Sequence, residues 1–191
     1  KSLGSLMCSI TLSMKMKWSE NEQLKEVMAP VSVIISAFTT TIDTSSHITP
    51  ELIADDKSRL VLVKLNNKMR MGASILQECY HKIGGTAPDI DDPQLLKNLF
   101  TFIQQIHSYT MAYHDISDGG LISTLCEMIF ASRIGITLNL ASDNLIDFLF
   151  NEEIGVVLQI NENNLDYVTK LANDLNLYLK KKKKINLQQD K

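Results

Sequence analysis

Residues 112–130 read AYHDISDGGLISTLCEMIF. Seven consecutive positions hold a His, two Asp, a Ser and two Gly, and the chain then turns to apolar residues at helical spacing. This pattern predicts a strand end beside His114, a turn, and a helix from about residue 120 to residue 132. The first N–H groups of a helix lack intrahelical partners and sit at the positive end of its dipole, so such a terminus attracts anions. Glycines there let backbone approach a phosphate closely. Carboxylates beside that phosphate repel it unless a hard cation lies between them, and magnesium takes one or two carboxylates together with phosphate oxygens. The same residues also suit a plain helix start, with Ser117 or Asp118 as the N-cap and Gly119 in the turn. Spacing alone leaves both readings open.

Outward from this stretch, strands and helices interleave. Strand-length apolar runs occur at 31–38 (VSVIISAF), 59–65 (RLVLVKL), 135–140 (GITLNL) and 155–160 (GVVLQI), and 13–18 (SMKMKW) alternates like a strand. Helical spacing marks 75–83, closing on Gly84 and Gly85 as C-cap candidates. A further helix follows Asp92 and Pro93, with Leu95, Leu96, Leu99, Phe102, Ile103 and Ile106 on one face. Shorter helices are expected near 143–150 and across 163–175. The alternation predicts an α/β or α+β layered domain, a mixed sheet flanked by helices.

At 191 residues, 45% hydrophobic and 21% charged, the chain has globular composition and length for one sizeable core. A net charge of −3 argues against a general nucleic-acid binder, which needs a basic face. No apolar run approaches the ~20 residues of a membrane span, and the start lacks a signal-peptide layout. Cys8, Cys79 and Cys126 have no ligand spacing and fit a reducing compartment, so a cytoplasmic protein with no membrane contact is expected. Cys79 and Cys126 fall on apolar helix faces, which points to core packing. His114 reads as a hydrogen-bonded structural residue. Glu152 and Glu153 precede a strand, where they can reach a cation or face solvent, and solvent is the expected environment. Lysines 180–184 read as a solvated or frayed end. A GxxxxGK[ST] phosphate loop, a nucleophile elbow and HExxH are all missing from the sequence.

The 112–130 stretch and its continuation resemble the AYHDRSDGGL..TL.EM.FA...G segment of the phosphoribosylformylglycinamidine synthase family. The likeness is colinear from about residue 9 to residue 177. SMKMKW resembles the end of GKDSMSMKTRW, APVSVIISAF resembles SP.SLVISAF, and residues 47–52, 71–77 and 149–160 match further family segments. The resemblance implies a piece of an ATP- and glutamine-dependent C–N ligase that converts formylglycinamide ribonucleotide to its amidine. Residues 1–45 would be a remnant of an aminoimidazole-ribonucleotide-synthetase-like N-terminal domain. Residues 46–178 would be the matching C-terminal domain, and 179–191 a lysine-rich divergent tail. It implies magnesium at Asp115 and an auxiliary ATP or ADP at Ser117, Gly119 and Gly120, no catalytic residue in this chain, and the remaining synthetase domains as partners. Where the family has GKDS this chain has CSIT at 8–11, and Ile10 can neither bind magnesium nor orient a phosphate. A non-catalytic nucleotide-binding or interaction module derived from such an enzyme is the alternative.

Overall fold

A computed structural model describes residues 7–38, 43–138, 144–181 and 187–188, with side chains at 15–28, 43–138 and 144–180. The end of GITLNL, Asp143, residues 39–42 and lysines 182–184 lie outside the described residues. The chain divides into two compact units, Lys1–His47 and Ile48–Lys191.

The first unit is a long antiparallel hairpin of β1 (Met7–Glu20) and β2 (Gln23–Phe38). Asn21 and Glu22 form its two-residue turn with φ of 51° and 61°, the doubly left-handed geometry that matches strand twist. Sequence reading recovered SMKMKW and VSVIISAF as strand but not their pairing, because no Asn-Gly or Asp-Gly signal marks this turn. Lys15 and Lys17 pair with Glu26 across the ribbon, and Lys25 with Glu20. Met16, Trp18, Leu24, Val27 and Met28 are all exposed. A two-stranded ribbon has nowhere to bury such side chains, so no core forms among the described side chains of this unit.

The second unit is layered around a sheet in the order β4–β6–β3–β7, comprising β3 (Ser58–Lys64), β4 (Thr110–Asp115), β6 (Gly155–Asn161) and β7 (Tyr178–Lys181). The expected layered class stands, and within this sheet every pairing is antiparallel. Side chains of β3 alternate between two cores. Val61 and Val63 meet Leu99, Phe102 and Ile106 of α2 (Pro93–Ile106) and Val168 and Ala172 of α5 (Leu165–Asp174). Leu60 and Leu62 meet Leu121, Leu125 and Met128 of α3 (Gly120–Ser132) and Phe148 of α4 (Leu145–Phe150). The α2 start is as expected: Pro93 opens the helix and the Asp92 carboxylate accepts the Gln94 N–H at 2.8 Å.

Three local expectations fail. The helix expected over 75–83 stops at α1 (Ile75–Cys79), which buries none of its residues; Tyr80 and Ile83 are exposed, and His81 turns left-handed at φ 51°. Apolar spacing without a surface to bury against does not propagate a helix. Cys79 is accordingly exposed, not core, while Cys126 is half-buried. Of the described residues of GITLNL, 135–138, only Gly135–Ile136 form strand, β5, paired with β8 (Leu187–Gln188). Lys180 is not a frayed end: it lies in β7 opposite Leu62 with its ammonium 4.1 Å from the centre of the Phe148 ring, a cation–π contact.

Candidate functional site

The 112–130 stretch folds as strand, turn and helix at one end of the sheet. β4 hydrogen-bonds to β6 through Asp115 opposite Val156, and the Ile116 N–H donates to the Gly155 carbonyl at 2.9 Å. The chain then reverses: the Gly120 N–H donates to the Ser117 carbonyl at 3.0 Å, and Gly119 adopts φ 81°, ψ −1°. That is the third-residue geometry of a type II turn, which glycine takes without steric cost. Thr124, one turn into α3, donates its hydroxyl to the Asp115 and Gly120 carbonyls at 3.2 and 3.1 Å, locking helix to strand end.

Neither Ser117 nor Asp118 caps α3; the N-cap is Gly119, with no side-chain bond. Both hydroxyl and carboxylate therefore stay exposed, as does Asp115, whose side chain is 64% accessible. The glycines serve the fold itself. A Cβ on Gly119 would fall 2.1 Å from Ser123 Oγ, and one on Gly120, at φ 70°, would fall 2.6 Å from the Asn151 carbonyl at the end of α4. Both glycines are buried against the chain's own atoms.

His114 matches its structural reading. Its Nε2 lies 2.7 Å from the Glu127 carboxylate on α3 and its Nδ1 2.8 Å from the Asp115 carbonyl. Beside it, Ile48, Pro50, Tyr113, His114 and Asp115 line a cleft of about 190 Å3. Burial, reinforced by the Asp115 charge, pushes the Tyr113 hydroxyl above its ordinary pKa. The cleft thus combines the apolar Ile48 and Pro50 with the polar side chains of Tyr113, His114 and Asp115. Among the described residues no three His, Cys, Asp or Glu side chains converge on a metal position.

The two glutamates assigned to solvent are instead structural. Glu152 Oε1 accepts two backbone N–H groups, from Gly119 at 2.8 Å and Ile75 at 2.9 Å. Glu153 is 2% accessible and takes Arg70 bidentately, Nε to Oε1 at 2.6 Å and Nη2 to Oε2 at 2.8 Å. Burial opposes ionisation of Glu153, but the hydrogen bonds and charge of Arg70, with the Lys64 charge, outweigh it and hold the carboxyl below its ordinary value. Arg70 also reaches Asp91, which Lys68 grips at 2.8 Å. Lys64, at the end of β3, is buried and donates to Asn151 Oδ1 at 2.8 Å and the Lys68 carbonyl at 2.9 Å. Burial pushes its ammonium down to about 8; Glu153 opposes the shift, while Arg70 and Lys180 add to it. Sequence reading missed Lys64, Arg70 and Asn151. The one available signal was a lysine on the inward-facing register of an apolar strand.

A family model described as AIR synthase related protein, C-terminal domain, matches residues 58–180. The chain belongs to this family. It is also similar to phosphoribosylformylglycinamidine synthase of Schizosaccharomyces pombe, 42% identical over 170 residues, covering 84% of this chain but 13% of that protein. Among solved structures, Thermotoga maritima PurL complexed with ATP superposes with a TM-score of 0.58 at 10% identity, over 83% of this chain and 25% of that one. Thiamine-monophosphate kinase from Stenotrophomonas maltophilia gives 0.56 at 16% identity, over 86% of this chain and 58% of that one. Likeness at these identities shows the shared fold, which the AIR synthase C-terminal domain sets here. Among the described residues no helix is long and apolar enough to cross a membrane.

Proposed function

We propose that the chain is a segment of a cytoplasmic phosphoribosylformylglycinamidine synthase, the ATP- and glutamine-dependent ligase that converts formylglycinamide ribonucleotide to formylglycinamidine ribonucleotide in purine biosynthesis. Within it, this segment binds an ATP or ADP with magnesium and carries no catalytic residue. The supporting relatives are the S. pombe synthase, of which the chain spans 13%, and PurL structures complexed with ATP, ADP and FGAR. The observation that carries the site is the exposed trio Asp115, Ser117 and Asp118 on a glycine-built turn beside the 48/50/113–115 cleft.

Magnesium, when bound, neutralises phosphate charge. Asp115 would supply a carboxylate oxygen to it, and Ser117 would contact the nucleotide through its hydroxyl. Gly119 and Gly120 hold the turn beneath them, and the positive end of the 13-residue α3 favours the anion. Domains from the remainder of the synthase supply the other ligands and the reaction centre. The isolated 191-residue chain is accordingly expected to show no synthase turnover. Calorimetric titration with ADP and magnesium tests the site. Heat of binding is expected for the wild type, and loss of it for Asp115→Ala with unchanged thermal unfolding; identical signals from the two proteins would remove Asp115 from the site.

A further inference from the structure

Residues 66–92 form a 27-residue connection whose only helix is the five-residue α1, far longer than connections in compact domains usually run. Long connections of this kind are held by tertiary contacts or serve a site. Two adjacent carboxylates hold this one. The Glu153 carboxylate accepts from the Arg70 guanidinium and from the Arg70 backbone N–H, the latter at 3.2 Å. Glu152 reaches further along, to the Ile75 N–H that opens α1. The oxygen that accepts Ile75 is the same Oε1 that accepts Gly119, the N-cap of α3 and the pivot of the exposed turn. Segments 44 residues apart therefore share one acceptor atom, and neither bond is duplicated by a neighbouring side chain at those amides.

From this geometry we infer that Glu152 is a positioning residue, which couples the 117–120 turn to the 66–92 connection through a single carboxylate oxygen. The inference rests on the reading of that turn as a nucleotide site and deepens it. With Glu152 in place, the turn and the start of α1 are tied to one oxygen while Asp115 and Ser117 stay exposed.

Amide hydrogen exchange on the ligand-free full chain tests the coupling separately from nucleotide binding. Loss of a hydrogen bond to a charged group corresponds to about tenfold faster exchange where opening is local. Glu152→Ala is expected to accelerate exchange by about that factor in both 72–80 and 117–121, with β3 and β6 at wild-type rates. Glu152→Gln, which keeps the acceptor oxygen, is expected to restore both segments. Acceleration in one segment only, equal acceleration in the sheet strands, or a Gln variant behaving like Ala overturns the inference. Ile75→Pro gives an independent route: proline suits the first helical position, and Ser74 at φ −75°, ψ 154° already has the backbone that precedes proline. Removing that N–H alone is expected to speed exchange in 117–121 by about threefold, since Glu152 then loses half of its anchorage; an unchanged turn refutes the coupling. Failure of ADP to bind the wild type would count against the nucleotide site and leave these exchange results standing.

Discussion

Two polar regions meet at the same end of the sheet and have opposite fates. Asp115, at the end of β4, lies opposite Val156; Lys64, at the end of β3, lies opposite the adjacent Gly155. Asp115, Ser117 and Asp118 are exposed and, Asp115's long contact with His114 apart, form no ion pair among the described residues. Lys64, Arg70, Asn151 and Glu153 are buried or nearly so, and each is bonded to another part of the chain. The difference teaches which group can act on a ligand: an exposed carboxylate has coordination to spare, whereas a buried one has spent it on holding the fold.

Substitutions can break this contrast, beginning with the buried side. Arg70→Ala leaves the Glu153 carboxylate buried without its partner, and unfolding by urea is expected to show a loss of about 3–5 kcal/mol. A loss under about 1 kcal/mol would mean that water reaches Glu153 and the buried region is not closed. Lys64 sharpens the comparison through pH. Its ammonium titrates near 8 when folded and at 10.5 ordinarily, so between those values the unfolded chain binds more protons and stability rises with pH. The wild type should therefore gain on Lys64→Met across pH 8 to 10.5, with a ceiling of about 3 kcal/mol. A flat difference across that window contradicts burial of the charge.

At the junction of the regions, Gly120→Ala forces both a left-handed φ and a clash with backbone at 149–151, an expected cost of about 1–3 kcal/mol. Thermal unfolding that matches wild type would show that the turn is not pinned by α4. The smallest stability effect belongs to the exposed side. Asp115→Ala should leave stability within about 0.5 kcal/mol of wild type while magnesium-dependent ADP binding disappears. A large loss of stability there would place Asp115 with the buried group.

Much of the fold was open to sequence reading wherever periodicity and burial agree. The α2 face and the 59–65 and 155–160 strands carry enough apolar residues that their partners hardly matter. The same logic misled at 75–83, where apolar residues at helical spacing find no core and remain exposed. The exposed turn was readable because His, Asp, Ser and Gly crowd one short stretch and match a family pattern. The buried cluster beside it was not, because Arg70 and Glu153 lie 83 residues apart and each alone resembles a solvated surface charge. For the glycines at 119 and 120 spacing left a phosphate's approach and a plain turn both open, and only the fold shows Ser123 and the end of α4 packed against them.

By itself the sequence determined the layered class, the main helix and strand positions, the acidic glycine turn and the family, since these depend on local spacing and short motifs. Only the tertiary structure decided the antiparallel strand order, the burial of Lys64 and Glu153, the seat of Lys180 over Phe148 and the single oxygen of Glu152 shared by Gly119 and Ile75. The physical reason is that burial converts a charge from a surface ornament into a group that must find partners, and those partners come from wherever in the chain the fold brings them.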